Sequence, residues 1–405
     1  MDAMDAFYEA IDTVYSQPVK DWKAAGGAVV ATLCSFVPVE LFHAAGILPV
    51  RLRGVDADSL DIANAYYGPF ICSCPKAILQ MVCEGRYQFL DGAVITPGCD
   101  SMRRLDDCWH KAAGDYEGIR PPFFTYLGVP HKASDYAIEW FTEELRGFIR
   151  RIESHFQVNI TKDKLKEAIR TYNRGRELTF QLQALREQEN PAISGTDALA
   201  AAIAGTALPR AAYNEGLESL IDNLTRGRAA PAGKAPRLMV LGSVCDDTKL
   251  IRLIEDAGAV VVADNLCFGM RQNQGRVPAT GPEADDPVAA LARWYLSESR
   301  CPRMFGGTRQ RLARIREEIE KAGVDGVIFQ NIRFCDLHGA ENGIFAGHLK
   351  LWGIPSLSLE REYGPLVDTG RIRMRVEAFL ERVSDKKPEV RTQKPEVRIK
   401  NDIIR

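Results

Sequence analysis

The chain has 405 residues, 46% hydrophobic and 26% charged, with 52 Lys and Arg against 54 Asp and Glu. This is globular composition for two or three domains, and a formal charge of −2 supplies no basic face for nucleic acid or an anionic membrane. Asp2, Asp5, Glu9 and Asp12 are the reverse of a basic secretory leader, and no apolar run reaches the roughly 20 residues of a membrane span, so a cytoplasmic protein is expected.

Residues 27–33 (GAVVATL) read as a buried strand, followed by Cys34 and a helix over 38–45 that Gly46 stops. A second strand follows at 48–52, a helix at 75–83, a third strand at 93–96 and a helix at 100–111. The order βαβαβα argues for a parallel sheet with helices on its faces. From Ser134 to about residue 224 the period is helical, with Ser134 and Thr161 placed as N-caps. Residues 229–236 (AAPAGKAP) offer little to bury and read as a linker. The α/β pattern then returns, with strands at 237–241, 259–263, 327–330 and 356–359 and helices at 247–257, 306–322, 340–351 and 370–382. The end repeats KPEVR at 387–391 and 394–398 and is expected to be a mobile tail.

The two α/β regions align with each other. DGAVITPGCD at 91–100 matches DGVIFQNIRFCD at 325–336, and CSFVPVELFHAAG at 34–46 matches CDDTKLIRLIEDAG at 245–258. The expected fold is therefore α/β: two doubly wound, Rossmann- or flavodoxin-like parallel-sheet lobes related as a diverged repeat, with an intervening helical segment. The expected units are a first lobe over 1–133, helices over 134–228, the linker at 229–236, a second lobe over 237–383 and the tail at 384–405.

Ten cysteines, at 34, 72, 74, 83, 99, 108, 245, 267, 301 and 335, are many for a reduced compartment, although a free Cys also serves as a small buried hydrophobe. No paired CxxC motifs form a zinc ribbon, and the CxC of Cys72 and Cys74 is weak alone. Ligands of open parallel sheets sit outside the carboxyl ends of strands, where Cys34, Cys99, Cys245 and Cys335 all fall. Thiolates drawn from several loops suit an iron-sulfur cluster better than zinc, which takes four ligands and closes its site.

The segments CSFVPVELFHAAGILPVRL (34–52), CP (74–75), DGAVITPGCDSMRRLDDCW (91–109), ADNLCFGMR (263–271), SRCPRM (299–304), DGVIFQNIRFCD (325–336), GIPSLSLEREYG (353–364) and TGRIRMRVEAFLE (369–381) together resemble the 2-hydroxyacyl-CoA dehydratase and benzoyl-CoA reductase family. The resemblance implies an oxygen-sensitive iron-sulfur component that takes single electrons from a separate ATP-hydrolysing activator. That activator is a homodimer with its own cluster, fed by ferredoxin or flavodoxin. The resemblance further implies a CoA thioester substrate and a homo- or heterodimer with a same-family subunit. Dehydratases make a ketyl radical that expels hydroxide and recycle the electron, benzoyl-CoA reductases consume two electrons, and a third branch reduces small molecules on two sulfide-bridged cubanes.

By the same resemblance Cys34, Cys74 and Cys99 match one cluster triad, and Cys267, Cys301 and Cys335 match a second. The cofactor is then either a [4Fe-4S] cluster or a double cubane, [8Fe-9S]. The repeat adds Cys245 as a candidate, whereas Cys72, Cys83 and Cys108 read as packing residues, with Cys72 able to substitute for Cys74. His43 and His338 are candidate proton donors near the cluster, each with a plain packing alternative. Asp100 and Asp336 read as helix caps, and Arg103, Arg104 and Arg333 as solvated or ion-paired. No GxGxxG follows a strand and no GxxxxGK[ST] occurs, so ATP hydrolysis by this chain is not expected. An aryl- or acyl-CoA reductase ranks first, on the likeness of 360–379 to benzoyl-CoA reductase subunits. A 2-hydroxyacyl-CoA dehydratase ranks second, and a double-cubane reductase of small molecules close behind. A non-catalytic, cluster-carrying partner subunit and a metal-free α/β protein are the rivals.

Overall fold

A computed structural model describes residues 2–227, 234–273 and 275–385 of the chain. Most of the expected linker, 229–233, and most of the expected tail, 386–405, lie outside the described residues.

The first sheet contains β1 (Val29–Thr32), β2 (Leu48–Arg51), β3 (Gly92–Ile95) and β4 (Phe123–Tyr126), in the order β2-β1-β3-β4. The second contains β5 (Arg237–Gly242), β6 (Val260–Asn265), β7 (Gly326–Ile332) and β8 (Ser356–Arg361), in the order β6-β5-β7-β8. Every pairing is parallel. The two sheets thus share one topology, which agrees with the internal repeat: the aligned DG…CD segments are the third strand of each. Val29, Val30, Val94 and Ile95 are fully buried, as strands covered on both faces must be, and each contributes about 1.5–3 kcal/mol by leaving water. Gly242, at the end of β5, has φ of +142°, and a Cβ there would lie 1.7 Å from the Gln330 carbonyl oxygen. Only glycine allows β5 and β7 to approach so closely at their carboxyl ends.

Along the chain the two sheets are separated by the helices Asp135–Phe156, Lys162–Arg186, Gly195–Ala204 and Arg210–Arg226. Ser134 and Thr161 cap the first two, accepting from the backbone N–H of Ala137 and Lys164. Asp100 and Asp336 depart from expectation. Each lies one residue inside its helix, and the cap positions belong to Cys99 and Cys335. A carboxylate in the first turn still favours the helix dipole, and Asp100 is committed to Arg103 and Arg104.

Packing crosses between the two halves. Phe7, Ala10 and Ile11 of the helix Ala3–Asp12 share a core with Leu199, Leu217 and Leu238. In the other direction Val277, Leu291 and Met304 pack with Val30, Phe36 and Phe148 of the first sheet's surroundings. Glu40 anchors this second exchange. It is fully buried and accepts from Arg176 Nη2 at 2.5 Å and from Tyr295 Oη at 2.7 Å. Glu40→Gln would strand the buried Arg176 without a counter-charge, with an expected loss of about 3 kcal/mol or more. The check is a lowered urea midpoint at unchanged m-value.

Candidate active site

The exchange of segments carries both sets of cysteines to one place. A cavity of about 80 Å³ at the carboxyl edges of the two sheets is lined by Cys34, Cys72, Cys74, Cys99, Cys267, Cys301 and Cys335. Cys34 follows β1, Cys99 caps the helix after β3, Cys267 follows β6 and Cys335 caps the helix after β7. Cys72 and Cys74 start the helix Ser73–Cys83. Cys301 lies in the loop between the helices Pro287–Ser297 and Thr308–Ala322. Apart from sulfur the wall is mostly apolar, with Leu33, Leu52, Ile78, Met102, Phe268 and Ile332.

Each of the six cysteines of the two expected triads therefore reaches the same cavity, and so does Cys72, expected from its helical position to be a packing residue. Cys245 does not line it. It is buried in the second sheet's core with its Sγ 3.5 Å from the Asp247 carbonyl oxygen, while the preceding Ser243 and Val244 form the wall. Cys83 ends its helix away from the cavity, and Cys108 donates to the Tyr66 carbonyl oxygen at 3.5 Å. Neither is a lining residue.

Burial pushes the thiols up, Cys301 to about 11 and Cys335 to about 12, and raises Cys34, Cys72, Cys74 and Cys99 as well. At neutral pH they stay protonated unless a metal displaces the proton. Among the described residues no three His, Cys, Asp or Glu side chains are grouped to hold a single ion. The arrangement is instead a set of separate soft donors on one cavity wall, which suits a polynuclear group whose thiolates each meet a different metal atom.

Basic side chains outnumber acidic ones around the cavity, whose one lining carboxylate, Asp246, lies 3.9 Å from Arg53 and also acts on Arg51. Arg51, at the end of β2, donates from Nη2 to Cys267 Sγ at 2.9 Å and from Nη1 to the Cys267 carbonyl oxygen at 2.9 Å. Its guanidinium lies 3.9 Å over the Phe268 ring, and its buried Nε has no partner. Arg303, two residues after Cys301, is held by the carbonyl oxygens of Pro97, Val129 and Pro130 at 2.5–2.6 Å. Arg271 donates to Asn265 Oδ1 and the Gly242 carbonyl oxygen. These cations are held by neutral acceptors, an arrangement that fits an anionic group in the cavity. The sequence offered a signal for them: an arginine ending a buried strand (LPVR), and arginines shortly after cysteines in CPR and CFGMR.

His338 lines the cavity from the first turn of the helix Asp336–Leu351, which begins earlier than residue 340. Its Nε2 lies 3.2 Å from Arg271 Nη1. Since arginine only donates, Nε2 is the acceptor, so the ring is neutral with its proton on Nδ1. Burial, then Arg271 and Arg311, hold its pKa well below the ordinary histidine value. His43 lies outside the lining and packs edge-on to Tyr172 at 5.6 Å. Arg103, Arg104 and Arg333 are ion-paired at the surface, to Asp100 and to Glu360 and Glu362. Among the described residues no helix is long and apolar enough to cross a membrane.

Two parallel-sheet lobes of matching topology with a thiol-lined chamber at their carboxyl edges define a class of α/β proteins built around one buried, sulfur-rich site. Residues 34–383 match the family model described as 2-hydroxyglutaryl-CoA dehydratase, D-component, and the chain belongs to that family. It is 26% identical to a benzoyl-CoA reductase subunit of Thauera aromatica, over 88% of this chain and 91% of that protein. It is 22% identical to the (R)-phenyllactyl-CoA dehydratase beta subunit of Clostridium sporogenes, over 94% of this chain and 100% of that protein. Identity to the beta subunit of (R)-2-hydroxyglutaryl-CoA dehydratase of Acidaminococcus fermentans is 25%, over 94% and 99%. Family members are thus subunits of reductases and dehydratases, enzymes of the oxidoreductase or lyase type.

Proposed function

We propose that this protein is an iron-sulfur reductase component in which both cysteine triads serve a single cofactor, a sulfide-bridged double cubane, and that it reduces a small molecule. One observation carries the reading: Cys34, Cys74 and Cys99 line the same cavity as Cys267, Cys301 and Cys335. A lone cubane on the first triad would leave three more thiols facing it with no task. The cluster would supply low-potential electrons in single steps, as the chemistry of such cofactors allows. The chain's own residues do the rest. Arg51, Arg271 and Arg303 offset the negative charge of thiolates and sulfide, and the apolar wall excludes water and so raises the weight of those charges. His338 presents a hydrogen-bonding ring at the cavity wall.

The partners in this reading are an ATP-hydrolysing iron-sulfur activator, ferredoxin or flavodoxin upstream of it, and a same-family subunit in a homo- or heterodimer. The relatives are themselves subunits of larger enzymes, which supports a same-family partner. A second reading keeps a CoA thioester as substrate, as an aryl- or acyl-CoA reductase or a 2-hydroxyacyl-CoA dehydratase. The Thauera relative favours the reductase form.

The test is iron and acid-labile sulfide on anaerobically purified protein, with EPR after reduction by the activator and ATP. About eight irons per chain are expected. About four would return the protein to a single cubane, and none would sink the proposal. Gly98 offers a second check. A Cβ there would lie 3.3 Å from Cys34 Sγ, so Gly98→Val should fill space at the first triad. Bound iron is expected to fall while the far-UV circular dichroism of the variant stays that of the parent.

A further inference from the structure

A second cavity, of about 70 Å³, adjoins the thiol chamber and shares Cys34 and Arg51 with it. Its walls come from β1, β2, the helices Lys162–Arg186, Arg210–Arg226 and Pro287–Ser297, and the loops beside them. Three arginines line it, Arg51, Arg176 and Arg210, and among the described residues no Asp or Glu does. Glu40, behind the wall, neutralises Arg176. Arg210 has a different setting. It donates to the Gly205 carbonyl oxygen at 3.2 Å and its guanidinium lies 4.0 Å over the Tyr172 ring and 5.0 Å from that of Tyr213. Stacking on two rings fixes the plane of the guanidinium without neutralising it. Tyr172 also shares a side-chain hydrogen bond with it, which leaves part of the donor fork for a planar, bidentate acceptor, the geometry of a carboxylate.

Arg51 is shared with the thiol chamber and its Asp246, so Arg210 is the cation that this cavity has to itself, and it faces a space with hydroxyl and amide groups from Thr32, Ser35 and Gln272. The volume is about half of the ~150 Å³ of an engineered cavity that takes benzene. A CoA thioester cannot be enclosed there, and a molecule of a few non-hydrogen atoms can.

We infer that this cavity binds a small carboxylate of about two to four carbons, with Arg210 as the residue that selects for the anion. The carboxylate's place as substrate or product of the neighbouring chamber rests on the redox reading proposed above. Its binding does not, and the two stand or fall separately.

The experiment is calorimetric titration of the full chain, iron-loaded and iron-free, with propionate, with the uncharged propionamide and with propionyl-CoA. Saturable binding of propionate is expected in both forms, with propionamide at least about tenfold weaker, since a hydrogen-bonded charge is lost. Arg210→Gln should weaken propionate by at least about tenfold while the thermal transition of the unliganded protein persists, and Arg210→Lys should recover part of the affinity. Equal binding of propionate and propionamide, unchanged affinity in Arg210→Gln, or binding of propionyl-CoA alone would overturn the inference. Propionate binding that depends on Arg210 in a protein that never retains iron would support the cavity assignment and overturn the redox reading.

Discussion

Cys301→Ser is expected to remove as much iron as Cys34→Ser. The two residues come from opposite halves of the chain, Cys34 from the loop after β1 and Cys301 from the loop before the helix Thr308–Ala322, yet both line the same chamber. Serine keeps the size of the side chain but replaces a soft thiolate by a poor ligand for iron. If both triads hold one bridged cofactor, damage at either end exposes the other, and each variant should lose more than about half of its iron and sulfide. Cys267→Ser and Cys335→Ser should behave alike. Cys245→Ser and Cys108→Ser, outside the chamber, should retain the full complement, which also controls for a general effect of losing a thiol. Retention of about four irons in Cys301→Ser together with complete loss in Cys34→Ser would show that the first triad works alone.

Which residues meet in the chamber depends on information of two kinds, and only one of them is local. Strands such as β1 and β3 are short apolar runs, and β7 opens on one (Val327–Phe329), each near glycine, cysteine or aspartate, so their position at the centre of a sheet is legible. The edge strand β4, Phe123–Tyr126, follows two prolines and ends exposed, and no pattern of burial marks it. The helix Pro287–Ser297 does carry a readable start, Asp286 capping it and Pro287 in its first turn. The repeat alignment locates the strand ends correctly but overreaches at Cys245. Strand-end position places a backbone at the sheet's carboxyl edge, and whether a side chain two or three residues later turns into the cleft depends on the loop. There Ser243 and Val244 occupy the wall and Cys245 turns into the core. Cys72 shows the opposite limit. A cysteine that starts a helix reads as packing, and the contacts of the adjacent Ser73 with Glu362 and Tyr363 of the second half accompany its place in the same chamber as Cys335. The arginines are the largest omission, because an arginine in isolation is most often a surface charge and only its burial beside the thiols gives it meaning.

If the chamber holds the proposed cluster, Arg51→Met is expected to lower its midpoint potential while leaving the iron-free protein close to parental stability. The side chain lies on the wall shared by the two cavities, 9% exposed, bonded to Cys267 through both its sulfur and its carbonyl oxygen. Methionine preserves the unbranched stem that packs there and removes the charge. The bonds to Cys267 are lost, but so is the cost of a buried cation with an unpartnered Nε, and the two changes oppose each other. The net effect on unfolding of the iron-free chain should be within about 2 kcal/mol. With the centre in place the signs no longer cancel. Reduction adds a negative charge, which a nearby cation stabilises, so removing the cation disfavours the reduced state. A unit charge at roughly 7 Å and an effective dielectric near 20 is worth about 2.4 kcal/mol, a fall on the order of 100 mV for one electron. Anaerobic redox titration followed by EPR measures it, and Arg51→Lys should recover most of the shift because it restores charge without the planar fork. A potential that moves equally in the Met and Lys variants would mean that Arg51 acts by shape, as a brace for the Cys267 loop. An unmoved potential in both would separate Arg51 from the electron-accepting centre altogether.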